Sequence, residues 1–147
     1  MPPKPLNDDR SFLKLLLLSI VTFGIYEIWY LHHWTKDINE ICKEDGKNNE
    51  GVLLYFLLTL VTCGLFPLFW WFKAADRLSR AAVRESVAVD ISGGKVLGFC
   101  IAGMLTYGIF IWYAQYLVMQ ATNDLATSYN LKYVYAKSVV DGTKPED

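Results

Sequence analysis

Three long apolar runs, separated by short polar stretches, dominate the chain. They cover residues 12–31, 52–72 and 96–119, and the second run contains no charged residue. A helix rises about 1.5 Å per residue and the hydrocarbon core of a bilayer is about 30 Å thick, so each run is long enough to cross a membrane as a helix. The pattern therefore predicts an all-α integral membrane protein with three apolar helical segments.

The three runs are copies of one unit. Each contains a threonine followed two residues later by a glycine: Thr22 and Gly24, Thr62 and Gly64, and Thr106 and Gly108. The copies are about 40 residues apart, a period typical of repeated helical units. We predict a polar N-terminal tail (1–10), a single helical membrane domain (11–130) and a polar C-terminal tail (131–147). The domain consists of repeats at about 11–45, 51–88 and 95–130, with short amphipathic extensions.

The threonine–glycine pair predicts a weak point in each helix. A threonine hydroxyl can hydrogen-bond the carbonyl four residues before it, and these carbonyls belong to Leu18, Leu58 and Ala102. The glycine tolerates the altered backbone angles that follow. In the second copy Pro67 also weakens the helix, because it has no N–H to donate to the carbonyl of Cys63.

Three structures fit such a weak point. It is a kink in a spanning helix, the tip of a re-entrant hairpin, or a place where small residues permit close helix packing. Half a segment of about twelve residues reaches only about 18 Å, which favours kinked spans. The polar stretches after the three copies are similar, which is more typical of hairpins that keep them on one side. We favour kinked spans and retain hairpins as the alternative.

The element T-x-G-I-Y-x-x-W resembles a bacterial membrane family, domain of unknown function 4234. In this chain, the element consists of Thr22, Gly24, Ile25, Tyr26 and Trp29. The likeness extends from about residue 10 to residue 129, and it is weaker where Leu65 and Phe66 replace I-Y and where Phe110 replaces tyrosine. The resemblance implies a helical protein of the bacterial cytoplasmic membrane. It supplies no catalytic residues.

Glu27 is the only acidic residue inside an apolar run. Ionisable residues within membrane segments often mark functional sites. With Gln115, the most polar residue of the third run, Glu27 forms a candidate intramembrane polar site. The alternative is a solvated acid, because Glu27 lies only five residues before His32, near the end of its segment.

A basic stretch follows the second run. Arg77, Arg80 and Arg84 have the spacing i, i+3, i+7 and share one face of a helix. Such a face predicts contacts with anionic lipid headgroups. The alternative is an ordinary solvated helix extension.

Aromatic residues gather at the downstream end of each run. They are Trp29, Tyr30, Trp34, Trp70, Trp71, Trp112, Tyr113 and Tyr116. Amphipathic rings are typical of the headgroup level, so we expect them to anchor the segments there.

Several classes of function lack support in the sequence. The net charge of -1 gives no basic surface for nucleic acid. The three cysteines form no C-x-x-C pair, and the adjacent His32 and His33 point about 100° apart on a helix, which is poor geometry for a metal. No nucleophile motif or phosphate-binding loop is present. We therefore predict no catalytic residues, metal or cofactor.

The sequence thus favours a non-enzymatic membrane scaffold or interaction module. Its partners are expected to be the lipid bilayer and either further copies of itself or another membrane protein, because Gly98 and Ala102 form a small-xxx-small pattern. The alternative is a small channel or transporter subunit that uses broken helices, with Glu27 and Gln115 in its pathway.

Overall fold

The computed structural model describes residues 4–106 and 108–142, with the side chains of Ser138 and Asp141 left aside. The helices are α1 (Phe12–Val21), α2 (Ile25–Ile41), α3 (Val52–Val61), α4 (Phe66–Glu85), α5 (Gly93–Leu105), α6 (Ile109–Tyr129) and α7 (Ala136–Asp141). A 3-10 turn covers Lys43–Asp45, and a π-helical stretch, Asn130–Tyr135, joins α6 to α7. The described residues contain no β-strand, so the predicted all-α class is confirmed.

Each apolar run forms a helical hairpin. Residues on the two sides of each turn are in contact: Arg10 with Asp37, Glu50 with Lys73 (2.9 Å between Oε1 and Nζ), and Phe99 with Tyr113 (4.9 Å between ring centroids). Fourteen residues of continuous helix would hold Phe99 and Tyr113 about 21 Å apart. The chain therefore reverses at each threonine–glycine pair, and α1–α2, α3–α4 and α5–α6 are antiparallel.

The kinked spans that we favoured from the sequence are therefore wrong. The hydropathy of the sequence shows how long each apolar run is, but it does not show where a helix within the run ends. Helices α1 and α3 end after ten residues each. In the described ranges, no single helix combines the length and hydropathy that crossing a bilayer requires.

The reversal arises from a Schellman motif at the end of α1 and of α3. At the first turn, the N–H of Gly24 donates to the carbonyl of Ser19 (2.8 Å) and that of Phe23 to Ile20 (3.3 Å). This is the pair of bonds that closes a helix whose next residue is left-handed. Phe23 and Gly24 have φ values of 52° and 88°, and the second turn repeats both bonds and angles at Cys63 and Gly64.

The third turn has the same main bond. The N–H of Gly108 donates to the carbonyl of Gly103 at 2.8 Å, and φ of Gly108 is 90°. Tyr107, the residue before it, lies outside the described residues.

The threonine hydroxyl joins the two helices of a hairpin. In the first turn, Thr22 Oγ1 donates to the carbonyl of Leu18 (2.7 Å) and accepts from the N–H of Tyr26 (3.0 Å). Thr62 makes the equivalent bonds at 2.7 and 2.9 Å, and Thr106 donates to Ala102 at 2.9 Å. One side chain thus satisfies an N–H at the start of the second helix while it braces the end of the first.

Pro67 has a different role from the one that we expected. It lies in the first turn of α4, where the N–H of a residue has no helical partner and a fixed φ suits the start of a helix. It therefore begins a helix and does not interrupt one.

The three hairpins are parallel to one another. Contacts between α2 and α6 pair Glu27 with Gln115, Trp34 with Thr122 and Glu40 with Tyr129, at sequence separations of 88, 88 and 89. Because the separation barely changes along the helices, α2 and α6 run in the same direction. Contacts between α2 and α4 keep the same order: Trp34 with Trp71, Asn39 with Arg77, and Ile41 with Arg84.

The molecule consequently has two different ends. We call the turns and adjoining helix ends the tips (residues 20–28, 60–69 and 104–110), and the opposite end the base (residues 7–11, 37–50, 73–92 and 123–135). The N-terminal segment is fixed to the base, because the backbone N–H and carbonyl of Leu6 both bond the side chain of Asn130.

Three of the predicted membrane-anchoring aromatic residues lie in the core instead. Trp34, Trp70 and Trp71 are buried. The indole N–H of Trp34 donates to Thr122 Oγ1 (2.9 Å), and that of Trp70 donates to the carbonyl of Glu50 (3.1 Å). Since the hairpins pack around them, these rings hold the bundle together.

Candidate functional site

The tips carry a continuous series of large apolar side chains on their surface. The exposed members are Ile20, Val21, Phe23, Ile25, Ile28, Leu60, Val61, Leu65, Phe69, Met104, Leu105, Ile109 and Phe110. Phe23, at the first turn, is 97% exposed. A soluble monomer rarely exposes such a patch, and large apolar patches mark contact with another protein or with a membrane.

Glu27 is the one charged residue of the tips. It lies on the first turn of α2, and its Oε1 accepts a hydrogen bond from Nε2 of Gln115 on α6 (3.1 Å). Gln115 is buried. The two residues proposed from the sequence as a polar site are therefore brought together, although they are 88 positions apart.

A cavity of about 380 Å³ opens beside this pair, between the first two hairpins. Its lining is mostly apolar and aromatic, and includes Ile28, Leu31, Tyr55, Phe56 and Trp71. Small-molecule sites commonly have this volume and this composition, with few polar groups among apolar walls.

Two further cavities continue along α2 toward the base. One of about 10 Å³ shares Glu27, Gln115 and Trp71 with the large cavity, and also contacts Tyr30 and Trp34. The next, of about 300 Å³, shares Tyr30 and Trp34 and reaches the base. The three cavities thus follow one another from the tips to the base, and the smallest of them is lined by the Glu27–Gln115 pair.

The third cavity ends at a buried ion pair. Arg10, Asp37 and His33 are part of its wall, and a guanidinium N–H of Arg10 bonds Asp37 Oδ2. Burial raises the pKa of the Asp37 carboxyl, although the Arg10 guanidinium opposes the shift.

Arg77 is the centre of the base. Its side chain is only 4% exposed and donates five hydrogen bonds. The acceptors are Asp45 Oδ1 and Oδ2, Asn39 Oδ1, Asn49 Oδ1 and the carbonyl of Lys47. Burial raises the pKa of the Asp45 carboxyl, but the hydrogen bonds from Arg77 and the Lys47 N–H outweigh it, so the net shift is downward.

The prediction that Arg77 contacts lipid headgroups is therefore wrong. The helical spacing i, i+3, i+7 was correct, but the acceptors that bury Arg77 lie on α2 and the loop after it, which the spacing could not reveal. Arg80 is 72% exposed and pairs with Asp76, while Arg84 is partly exposed and pairs with Glu44 and Glu85. Of the predicted face, Arg80 and Arg84 reach the surface.

Sequence reasoning missed the asparagines of this network. The side-chain amide of Asn39 bonds the backbone N–H and carbonyl of Asn49 at 2.7 and 3.1 Å, and both side chains accept from Arg77. The one signal in the sequence was Asn39 in the polar stretch after the first copy, whose role is visible only when the loop is folded against α2.

The small residues of α5 divide into two groups. A Cβ on Gly103 would lie 2.4 Å from Cγ1 of Ile111 and 2.8 Å from its backbone nitrogen, so the absence of a side chain lets α6 lie close to α5. A Cβ on Gly98 would instead point into open space, with no neighbouring atom within 4 Å. Gly98 therefore makes no close helix contact inside the protomer, although it belongs to the predicted Gly98–Ala102 packing pattern.

Groups that could hold a metal are not formed in residues 4–106 and 108–142: no three His, Cys, Asp or Glu side chains converge there. Cys42 and Cys100 are buried, whereas Cys63 is exposed at the second tip. Burial raises the pKa of the Cys42 thiol to about 11.

The chain matches the model of a protein family. The family model described as "Domain of unknown function (DUF4234)" matches residues 10–57 and 50–124. The two matched segments overlap at residues 50–57, where the second hairpin begins. No curated protein and no solved structure shows significant similarity to the chain.

Proposed function

Since the chain belongs to the DUF4234 family, whose description names no activity, we propose its function from the geometry. It is a non-enzymatic module of the bacterial cytoplasmic membrane that inserts the tips of its three hairpins into one leaflet and self-associates there. The observation that carries the proposal is the composition of the two ends: the tips expose large apolar side chains and hold one charged residue, Glu27, whereas the ion pairs lie at the base, where Val83 and Leu131 are also exposed.

The dimensions support insertion into a single leaflet. The first helices of the hairpins have 10, 10 and 13 residues, which corresponds to about 15–20 Å. One leaflet of a hydrocarbon core about 30 Å thick is about 15 Å deep. Each hairpin returns to the side from which it entered, so every base segment stays on that side.

The energetics of the tips point the same way. Moving one large apolar side chain out of water contributes about 1.5–3 kcal/mol, and each tip exposes at least four such side chains. The hairpin also satisfies its own backbone at the turn through the Schellman bonds and the threonine hydroxyl, which hydrocarbon requires because it offers no hydrogen-bond partner.

Cys63 provides a direct test of insertion. It is exposed at the second tip, while the other two cysteines are buried, so an environment-sensitive fluorophore can be attached to it selectively. In liposomes, lipids with a quencher deep in the acyl chain should quench this probe strongly. A matched Cys63→Ser, Asn48→Cys protein carries the probe on the exposed base loop, and these lipids should quench its fluorescence only weakly. Equal quenching by aqueous iodide at both positions would refute insertion.

One-sidedness has a separate test. Asn48 and Ser86 are both exposed at the base. Cysteines placed at these two positions should react with an impermeant maleimide from the same side of sealed vesicles. Reaction from opposite sides would mean that the segments span the bilayer.

Self-association is supported by the exposed face of α5. Gly94, Gly98 and Ile101 lie on this face, and small residues at helix interfaces let backbones approach closely in lipid. Gly98→Leu should weaken crosslinking between copies in membranes without changing the unfolding of the protomer. Unchanged crosslinking would exclude this face as the interface.

One observation favours the channel or transporter alternative. The row of three cavities along α2 passes the Glu27–Gln115 pair and ends at Arg10 and Asp37. Its smallest cavity, about 10 Å³, has room for about one water-sized species, so the candidate cargo is a proton or small cation. Proton flux into liposomes that falls with Glu27→Gln would support it. Flux no greater than in protein-free liposomes would exclude it.

A further inference from the structure

Glu27 is a carboxylate without a basic partner. It accepts a hydrogen bond from the amide of Gln115, and it takes part in none of the ion pairs among the described residues. Lys73, the lysine or arginine nearest along the chain to a glycine of the three tips, is nine positions beyond Gly64, whereas Glu27 is three beyond Gly24. Glu27 is half-buried, and a carboxylate that is partly removed from water beside a single neutral donor is stabilised when a cation joins it.

The cavity beside Glu27 has walls that suit an organic cation. Tyr55, Phe56 and Trp71 bring three aromatic rings to the same cavity as the carboxylate. Cations are attracted to the faces of aromatic rings, and aromatic cages recognise quaternary ammonium groups. The volume of about 380 Å³ exceeds what a bare metal ion or a water molecule needs, and it accommodates an ammonium group with an apolar substituent.

We propose that the cavity between the first two hairpins binds an organic ammonium cation with an apolar substituent, with Glu27 as its counter-ion and Phe56 and Trp71 in contact with it. Gln115 orients the carboxylate through its amide N–H. The site is present in the folded chain whether or not the tips are in lipid, so its failure and the failure of membrane insertion are separate results.

The test uses phenyltrimethylammonium and its neutral carbon isostere, tert-butylbenzene, titrated calorimetrically into the full-length chain in a non-ionic detergent. The parent should bind the cation at least tenfold more tightly than the isostere. Glu27→Gln keeps an oxygen that can accept from Gln115, so the fold should be retained while the two ligands become equal within threefold. A preference that survives in Glu27→Gln, or that is absent from the parent, would overturn the proposal.

A second pair of variants tests the aromatic wall without touching the Glu27–Gln115 pair. Phe56 and its neighbour Leu57 are 45% and 55% exposed on α3, but only Phe56 lines the cavity. Phe56→Ala should weaken binding of phenyltrimethylammonium at least threefold, and Leu57→Ala should leave it unchanged. Equal effects of the two changes would place the ligand elsewhere.

The ammonium group could come from a lipid headgroup or from a free molecule, and nanodiscs distinguish them. If phosphatidylethanolamine discs weaken the Glu27-dependent part of probe binding (parent minus Glu27→Gln) relative to phosphatidylglycerol discs, the natural occupant is the headgroup amine. Equal binding in both discs identifies a free cation. Loss of Glu27-dependent binding in both kinds of disc would contradict the site.

Discussion

At the base, Arg77 is nearly inaccessible and donates five hydrogen bonds, whereas at the tips Phe23 is almost fully exposed in a left-handed conformation. The same hairpins contribute to both regions. The base buries the Arg77 guanidinium among polar acceptors, whereas the tips expose apolar side chains over a backbone whose hydrogen bonds are made within the turn. The base therefore connects the hairpins through specific polar contacts, and the tips are the surface for which we propose insertion into lipid.

The largest effect should come from breaking the base at Arg77. Arg77→Met removes the donor and leaves Asp45, Asn39 and Asn49 without it, and breaking a buried pair costs about 3–5 kcal/mol. The free energy of unfolding in detergent, measured by urea titration of tryptophan fluorescence, should fall by that amount.

Arg80→Met is the matched control for this change. Arg80 is three residues away on the same helix, is mostly exposed and pairs only with Asp76 among the ion pairs of the described residues, so its loss should cost at most about 1 kcal/mol. Equal losses in the two variants would mean that the Arg77 network does not stabilise the base.

The second effect tests the packing near the third tip. Gly103→Leu places a side chain where Ile111 already lies, and overpacking of this kind costs about 1–3 kcal/mol. Gly98→Leu, on the same helix but facing open space, should leave protomer unfolding unchanged. If both variants have the same melting temperature as the parent, α5 and α6 are not closely packed at Gly103.

The third effect sharpens the role of Phe23. A non-glycine residue with φ near 52° is held in a conformation that costs about 1–2 kcal/mol, and glycine regains part of this at an entropic cost of about 0.5–1 kcal/mol. Phe23→Gly should therefore raise the free energy of unfolding in detergent slightly, by about 0.5 kcal/mol, and weaken liposome binding.

Phe23→Leu is the comparison for this variant, because it keeps an apolar side chain on the same strained backbone. It should preserve liposome binding and show no gain in stability. Liposome binding that is equal in the glycine and leucine variants would show that the side chain at position 23 makes no apolar contact with lipid.

The smallest effect is the change in the free energy of unfolding as the pH falls. The folded pKa of Asp45 lies below its ordinary value of 3.8, so its pairing stabilises the protein above that value and the stabilisation is lost as the pH falls through the folded pKa. Asp45→Asn should therefore be less stable than the parent at pH 7, and the difference should narrow below about pH 4. Urea titrations of the parent and of Asp45→Asn across this pH range measure the narrowing, and a difference that stays constant would contradict it.

The sequence by itself determined the local elements of this protein. The threonine hydroxyls bond the carbonyls of Leu18, Leu58 and Ala102, and the glycines adopt positive φ, because both depend on residues within a few positions of one another. The family was also identifiable from one such element, since T-x-G-I-Y-x-x-W describes a turn and the helix that follows it.

Only the tertiary structure decided whether each weak point bends or reverses the chain, and which polar residues meet. The reversal at the first two turns required two consecutive left-handed residues, and hydropathy does not distinguish Phe23 or Cys63 in that conformation from the same residues in a helix. Glu27 met Gln115 and Arg77 met Asp45 because three hairpins pack in parallel, at sequence separations of 88 and 32. Which residues come into contact at such sequence separations depends on the register between the helices, and the whole core around Trp34, Trp70 and Trp71 sets that register.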